Sequence, residues 1–182
     1  MSIKNTNESY GSIAIAIHWL MALIIITLLA VGFTMTGMED GDEKWGIYAI
    51  HKATGLIIIG LAIFRWIWLF INDKPKPLEN WSKADIGLSH ATKWILMLLM
   101  LIMPIAGLIM SLSGGHDVSF FGLFTIEGFA EKNEQLNHFF HEVHEIGGLV
   151  FAVVIVLHIL AALKHHFYDK DKTLKRMFGK NK

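Results

Sequence analysis

The sequence predicts an all-α membrane protein, a four-helix transmembrane bundle. Three observations predict it. Hydrophobic residues fill 53% of 182 positions and the mean hydropathy is +0.47, too apolar for an ordinary water-soluble domain. Four apolar stretches lie near 12–35, 45–71, 86–112 and 143–167, each longer than the roughly 20 residues that cross about 30 Å of hydrocarbon. Turn residues are scarce within them, which favours helices, because helices satisfy their own backbone in lipid. Residues 1–182 are expected to form one domain, with a long connection over 113–142.

The first stretch exceeds the apolar core of a signal peptide and lacks a small-x-small cleavage site, so it is expected to be a retained span. A short acidic connection, "GMEDGDEKW", leads to the second. "DKPKPLENWSKAD", with Pro75 and Pro77, separates the second from the third, which is interrupted by Pro104 and Gly107. "SGGHDVSFFGLFTIEGFAEKNEQLNH" is too long for a tight helix–helix turn and is expected to lie along the membrane surface or to carry function. The fourth stretch ends in the basic run "KHHFYDKDKTLKRMFGKNK". Lysine and arginine counts beside the spans set the orientation. With the amino terminus inside, 13 of the 16 basic residues face inward, and only Lys44, Lys52 and Lys132 face outward. Both termini are therefore expected in the cytoplasm.

The chain has no cysteine. Disulfides, iron–sulfur clusters, zinc ribbons and covalent c-type haem attachment are thereby excluded. Formal net charge is zero, so no bulk field argues for nucleic acid. The ten histidines are the main supply of transition-metal ligands.

His18, His51, His144 and His158 fall within the spans, where ionisable residues mark function by default. In the expected orientation His18 lies near the inner face and His51 near the outer. His144 is also near the outer face, and His158, fourteen residues on, is about 21 Å deeper and returns to within about 40° of the same helix face. The four thus form two pairs by depth, His51 with His144 and His18 with His158. Two imidazoles facing each other at one depth suit bis-histidine haem ligation, in which iron takes axial nitrogens from both faces of a flat macrocycle. The residue four positions after each is small: Ala22, Gly55, Gly148 and Ala162. Positions i and i+4 share a helix face, so a small residue there leaves room for a porphyrin; ordinary small-residue helix packing produces the same pattern.

The other histidines take plainer roles. His138 and His141 are expected at the interface, His165 and His166 facing water or headgroups, and His90 in helix packing or a backbone hydrogen bond. Arg65 lies fourteen residues past His51, at the level of the inner pair, where a guanidinium can meet a haem propionate or snorkel to the surface. Lys52 stands in the same relation to the outer pair. Trp45, Trp66, Trp68, Trp81 and Trp94 read as an interfacial belt.

"AIHWLMA", "AIHKATG", "EVHEIGGLVFAVVIVLH" and "LKHHFYDKDKTLKRM" resemble the bacterial cytochrome b561 family, from about Gly11 to Met177. The resemblance implies a four-helix, multi-pass cytochrome of the bacterial inner membrane with two non-covalent b haems. It implies ligands at His18, His51, His144 and His158, and electron transfer between the quinone pool and a second redox partner. An alternative is the membrane-anchor cytochrome b subunit of a larger hydrogenase- or formate-dehydrogenase-type complex, docking through the "FFGLF" loop. An ion transporter is disfavoured, because no carboxylate sits mid-span. Superoxide is one candidate outer donor. Ten acidic residues against three lysines on the outer side would repel it, unless Lys44, Lys52, Lys132 and protonated histidines cluster at the haem edge.

Overall fold

The computed structural model describes residues 2–179; Lys180 and Lys182, two of the inward basic residues, lie outside them. Four helices, α1 (Ser12–Met35), α2 (Asp42–Ile71), α3 (Lys83–Ser113) and α4 (Glu134–Phe167), are each long and apolar enough to cross a membrane. A two-stranded antiparallel hairpin, β1 (Val118–Phe120) and β2 (Phe124–Ile126), joins α3 to α4, and a short α5 (Thr173–Arg176) closes the chain. The helices run up and down, so one end of the bundle carries both termini and the other carries the hairpin.

Helix ends follow local chemistry. Ser82 and Asp85 form a reciprocal capping box at the start of α3, Asp85 N–H to Ser82 Oγ at 3.1 Å and Ser82 N–H to Asp85 Oδ2 at 3.0 Å. Asn133 accepts from Leu136 N–H at 2.9 Å and caps α4. The α4 helix therefore begins at Glu134, not near 143, and the connection is shorter than the 113–142 expected. Its first turns, "EQLNHFFHE", are too polar to stand out by hydropathy, and Asn137 Nδ2 ties them to the last turn of α3 by donating to Met110 O at 2.7 Å. The starts of α2 and α3 likewise precede their apolar stretches by a few residues.

The helices pack unevenly around the bundle. The α3 helix lies closely along α4, α2 along α3, and α1 along α2, whereas α1 and α4 barely meet. The core, including Met21, Ile58, Met97, Met100, Met103 and Phe151, sits midway along the bundle. Large apolar side chains such as Leu23, Ile67, Leu149 and Leu160 point outward, as lipid-facing positions should. The hairpin turns through Phe121 (φ 49°) and Gly122 (φ 78°), closed by Leu123 N–H to Phe120 O at 2.9 Å. Glycine takes positive φ freely, but phenylalanine there costs about 1–3 kcal/mol.

Candidate functional site

At the hairpin end, His51 of α2 faces His144 of α4 with ring centroids 6.3 Å apart. His144 Nδ1 lies 2.9 Å from the carbonyl oxygen of Met103 in α3. A carbonyl can only accept, so the proton is on Nδ1 and the Nε2 lone pair is left available. Gly107 makes this approach possible: a Cβ there would lie 2.8 Å from His144 Cε1 and 3.0 Å from Nδ1. On the other side, a Cβ at Gly32 would touch His51 Cε1 at 3.4 Å. His51 Nδ1 is buried with no hydrogen-bond partner. At Gly55, one turn beyond His51, an added Cβ meets nothing within 4 Å, so the space beside the imidazole is open. Gly148 differs from the expectation. Its Cβ position makes an ordinary 3.7 Å contact with Met103 Cε, whereas a Cβ at the neighbouring Gly147 would lie 2.5 Å from Met103 Sδ, so it is Gly147 that lets α3 pack closely on α4.

At the termini end, His18 of α1 faces His158 of α4, again with centroids 6.3 Å apart. Arg65 Nη2 lies 3.3 Å from His18 Nδ1. A guanidinium has no acceptor, so Nδ1 accepts and the proton is on Nε2. Arg65 is thus at the level the spacing placed it. Lys52 lies beside His51 in sequence and faces Asp117 of the hairpin connection electrostatically. Fourteen residues of α4, about 21 Å, separate the two levels. Phe151 is buried halfway between them, in one apolar cluster with Met100 and Met103.

The donor sets decide what each level can hold. A bond from an imidazole nitrogen to a metal is about 2.0–2.1 Å, and the ring centre lies about 1.2 Å behind the nitrogen, so two rings on opposite sides of one metal have centroids about 6.4–6.6 Å apart, within a few tenths of an ångström of the 6.3 Å seen here. Both pairs match. Two nitrogens alone do not complete the shell of a bare ion, but they complete that of an iron held by four equatorial nitrogens. Among the described residues, the groups of three or more metal-binding side chains are His141/Glu142/Glu145 and His165/Asp169/Asp171, and neither includes the paired histidines. Because α1 and α4 stay apart, the termini-side pair spans a gap between helices. The residues fit a flat macrocycle at each level.

Sequence reasoning missed one cluster. Rather than facing water or headgroups, His165 has its Nδ1 2.9 Å from both Asp169 Oδ2 and Asp171 Oδ2, and its ring stacks on Trp81 at 5.0 Å. Trp81, expected in the interfacial belt, donates Nε1–H to Asp171 Oδ2 at 2.9 Å. Burial pushes the Asp171 carboxyl up, but bonds from Thr173 and Trp81 and the nearby His165 outweigh it and hold the group below the usual carboxylate range. The tail continues to Trp19, whose Nε1–H donates to Met177 O at 2.8 Å and whose ring stacks on Phe178 at 5.0 Å. Arg176 donates to Lys76 O at 2.8 Å. The C-terminal residues therefore clasp the second interhelix linker and the neighbour of His18. Burial also pushes the Tyr10 phenol up, opposed by Arg176 and Arg65. His138 and His141 lie on exposed turns of α4, and His90 is exposed on α3.

A profile described as prokaryotic cytochrome b561 matches residues 9–180. "Cytochrome b561 homolog 2" of Escherichia coli (strain K12) is 35% identical over 184 aligned residues, covering 100% of this chain and 97% of the relative. "Probable superoxide oxidase CybB" of Yersinia pestis is 30% identical, covering 97% and 99%. "Cytochrome b561 homolog 1" of Escherichia coli (strain K12) is 27% identical, covering 95% and 98%.

Proposed function

Since the chain belongs to the prokaryotic cytochrome b561 family, membrane cytochromes b of electron transfer, we propose that it holds two b haems and passes electrons between the quinone pool and a periplasmic redox partner. His51 with His144 would hold one haem, and His18 with His158 the other. The observation that carries this reading is the common 6.3 Å separation at two levels of one bundle. The haem iron, when bound, supplies the one-electron couple.

The chain's own residues do the rest. The bond from His144 Nδ1–H to Met103 O fixes the ring tautomer and its orientation. Phe151 and the methionines around it form the apolar core between the two levels. Arg65 carries positive charge beside the termini-side pair, suited to bidentate contact with a propionate. While Arg65 donates to His18 Nδ1, the Nε2 of that ring bears the proton, so coordination through Nε2 requires Arg65 to release it. Lys52 is the corresponding candidate at the hairpin end.

The excess of lysine and arginine at the termini end supports cytoplasmic termini in the inner membrane. On this reading the hairpin end would face the periplasm. One relative is named a probable superoxide oxidase, which makes superoxide a candidate donor there. Lys44 is held by Asp40 at 2.9 Å, so one of the three lysines on that face is already countered by an acid. A neutral or cationic partner suits such a face better.

The test is reduction by a quinol of the purified, haem-loaded protein in liposomes. Full reduction of two haems per chain by quinol, reversed by an oxidant added outside, is the expected result. A haem-loaded protein inert to quinols would overturn the quinone-linked reading. Copurification of a large periplasmic subunit would move it to an anchor role.

A further inference from the structure

The hairpin between α3 and α4 does not stand above the helix ends. Strand β1 packs along α2. Phe120 and Phe124 then share a groove with Leu56, Ile57 and Gly60 of α2 and Leu108 of α3. The groove is shallow and open, about 620 Å³ in volume, and its walls are apolar. Leu56 to Gly60 lie about one and a half to two and a half turns deeper into α2 than His51, inside the span rather than at its rim. At that depth the solvent is acyl chain.

The sequence of the hairpin suits the same solvent. No charged residue occurs from Val118 to Ile126, "VSFFGLFTI". Phe121 is 54% exposed, Leu123 79% and Phe124 53%. In water such a tip would be an exposed apolar patch, and Phe121 also takes a backbone conformation that disfavours phenylalanine. Antiparallel pairing satisfies much of the backbone within the hairpin, as insertion into lipid demands. The pairing register puts Val118, Phe120, Phe124 and Ile126 on one face and only the uncharged pair Ser119 and Thr125 on the other, so the hairpin is apolar on its inner face and at its tip and carries no charge on either face.

We propose that residues 118–126 form a lipid-inserted hairpin, with its tip among the acyl chains of the leaflet at that end and a chain completing the groove against α2. The partner is the lipid bilayer itself. The inference rests on the membrane-spanning reading of the four helices and not on the haem assignment.

The absence of cysteine makes the test direct. Leu123→Cys and Phe124→Cys, each in the otherwise unchanged haem-loaded protein in quinone-free liposomes, carry a nitroxide spin label. Val153→Cys reports the lipid-facing side of α4, and Glu131→Cys the aqueous connection. Oxygen concentrates in lipid and a neutral nickel chelate in water, so the ratio of the two accessibilities reads depth. The expected result is a ratio at 123 and 124 several-fold above that at 131 and close to that at 153. A ratio at 123 and 124 equal to that at 131 would overturn the proposal. So would dipolar broadening between labels with loss of oxygen access, which would mean that a second copy covers the tip. Ordering of the label only after a long-chain quinone is added would assign the groove to that ligand and overturn the acyl-chain assignment.

Discussion

Gly107→Ala probes the support of the hairpin-side pair without replacing either imidazole. The new methyl would stand 2.8 Å from His144 Cε1, against about 3.5 Å for a relaxed carbon contact. The ring must therefore retreat by roughly 0.6 Å or more. Its anchor, Met103 O, lies on the same helix as residue 107, so retreat stretches the 2.9 Å bond toward the limit of hydrogen bonding. Losing that bond costs about 0.5–1.5 kcal/mol of net interaction. Losing an orienting partner typically costs about 10–100-fold in metal affinity, or about 1.4–2.8 kcal/mol. Alanine returns about 1 kcal/mol of helix propensity over glycine, so the haem-free fold should change little. The assay is haem per chain by pyridine haemochrome, low-temperature EPR of the low-spin iron signals, and a thermal melt of the apoprotein. One signal should weaken or shift while the other is unchanged. Gly87→Ala, where nothing lies within 4 Å of the added carbon, should be silent. A Gly107→Ala protein with two haems, unaltered signals and unaltered potentials would refute the reasoning.

The remaining predictions concern ligands, charge and pH. His144→Ala should lose the hairpin-side haem alone and His158→Ala the termini-side haem alone, by haem count and EPR; loss in His141→Ala but not in His144→Ala would mean the assignment is off by one turn. Arg65→Gln should lower the termini-side midpoint potential. A charge roughly 10 Å away at an effective dielectric near 20 is worth about 1–2 kcal/mol, or about 40–90 mV for one electron, and Arg65→Lys should restore most of it in a potentiometric titration. Asp171 has a depressed folded-state pKa, so its contribution to the C-terminal clasp is present above the unfolded carboxylate value, about 4, and is lost as pH falls through the lower folded value. Hydrogen exchange of residues 168–179, corrected for intrinsic rates, should be slow at pH 6 and accelerate at pH 3, whereas Asp171→Asn should be fast at both. If superoxide is a donor, its rate should fall little as salt rises, because the acidic face offers no steering; a steep fall in stopped-flow measurements would contradict this.

The four spans were legible because hydropathy alone marks them. The histidine pairing was legible because depth along a helix is arithmetic: His144 and His158 differ by about 21 Å, and only His51 and His18 lie at matching heights. What escaped notice depends on contacts between distant parts of the chain. Gly107 and Met103 cradle His144 from another helix, and no spacing along α4 reports that. His165 looked solvated because its neighbours in sequence are basic, yet Trp81 and Asp171 enclose it after folding. The early start of α4 was hidden because "EQLNHFFHE" is amphipathic, while the boundary was read from hydropathy. Of the small residues four after the histidines, Gly55 opens onto space, whereas Gly148 stands in ordinary contact with Met103 of α3.

The central claim is that four histidines hold two haems in separate pairs. Haem stoichiometry and EPR of the purified wild-type protein beside the four single alanine variants test it most directly. Two low-spin bis-imidazole haems per chain are predicted, with His51→Ala and His144→Ala losing one and the same signal, and His18→Ala and His158→Ala losing the other. Correctly inserted protein without iron, or losses that pair His51 with His158, would contradict it.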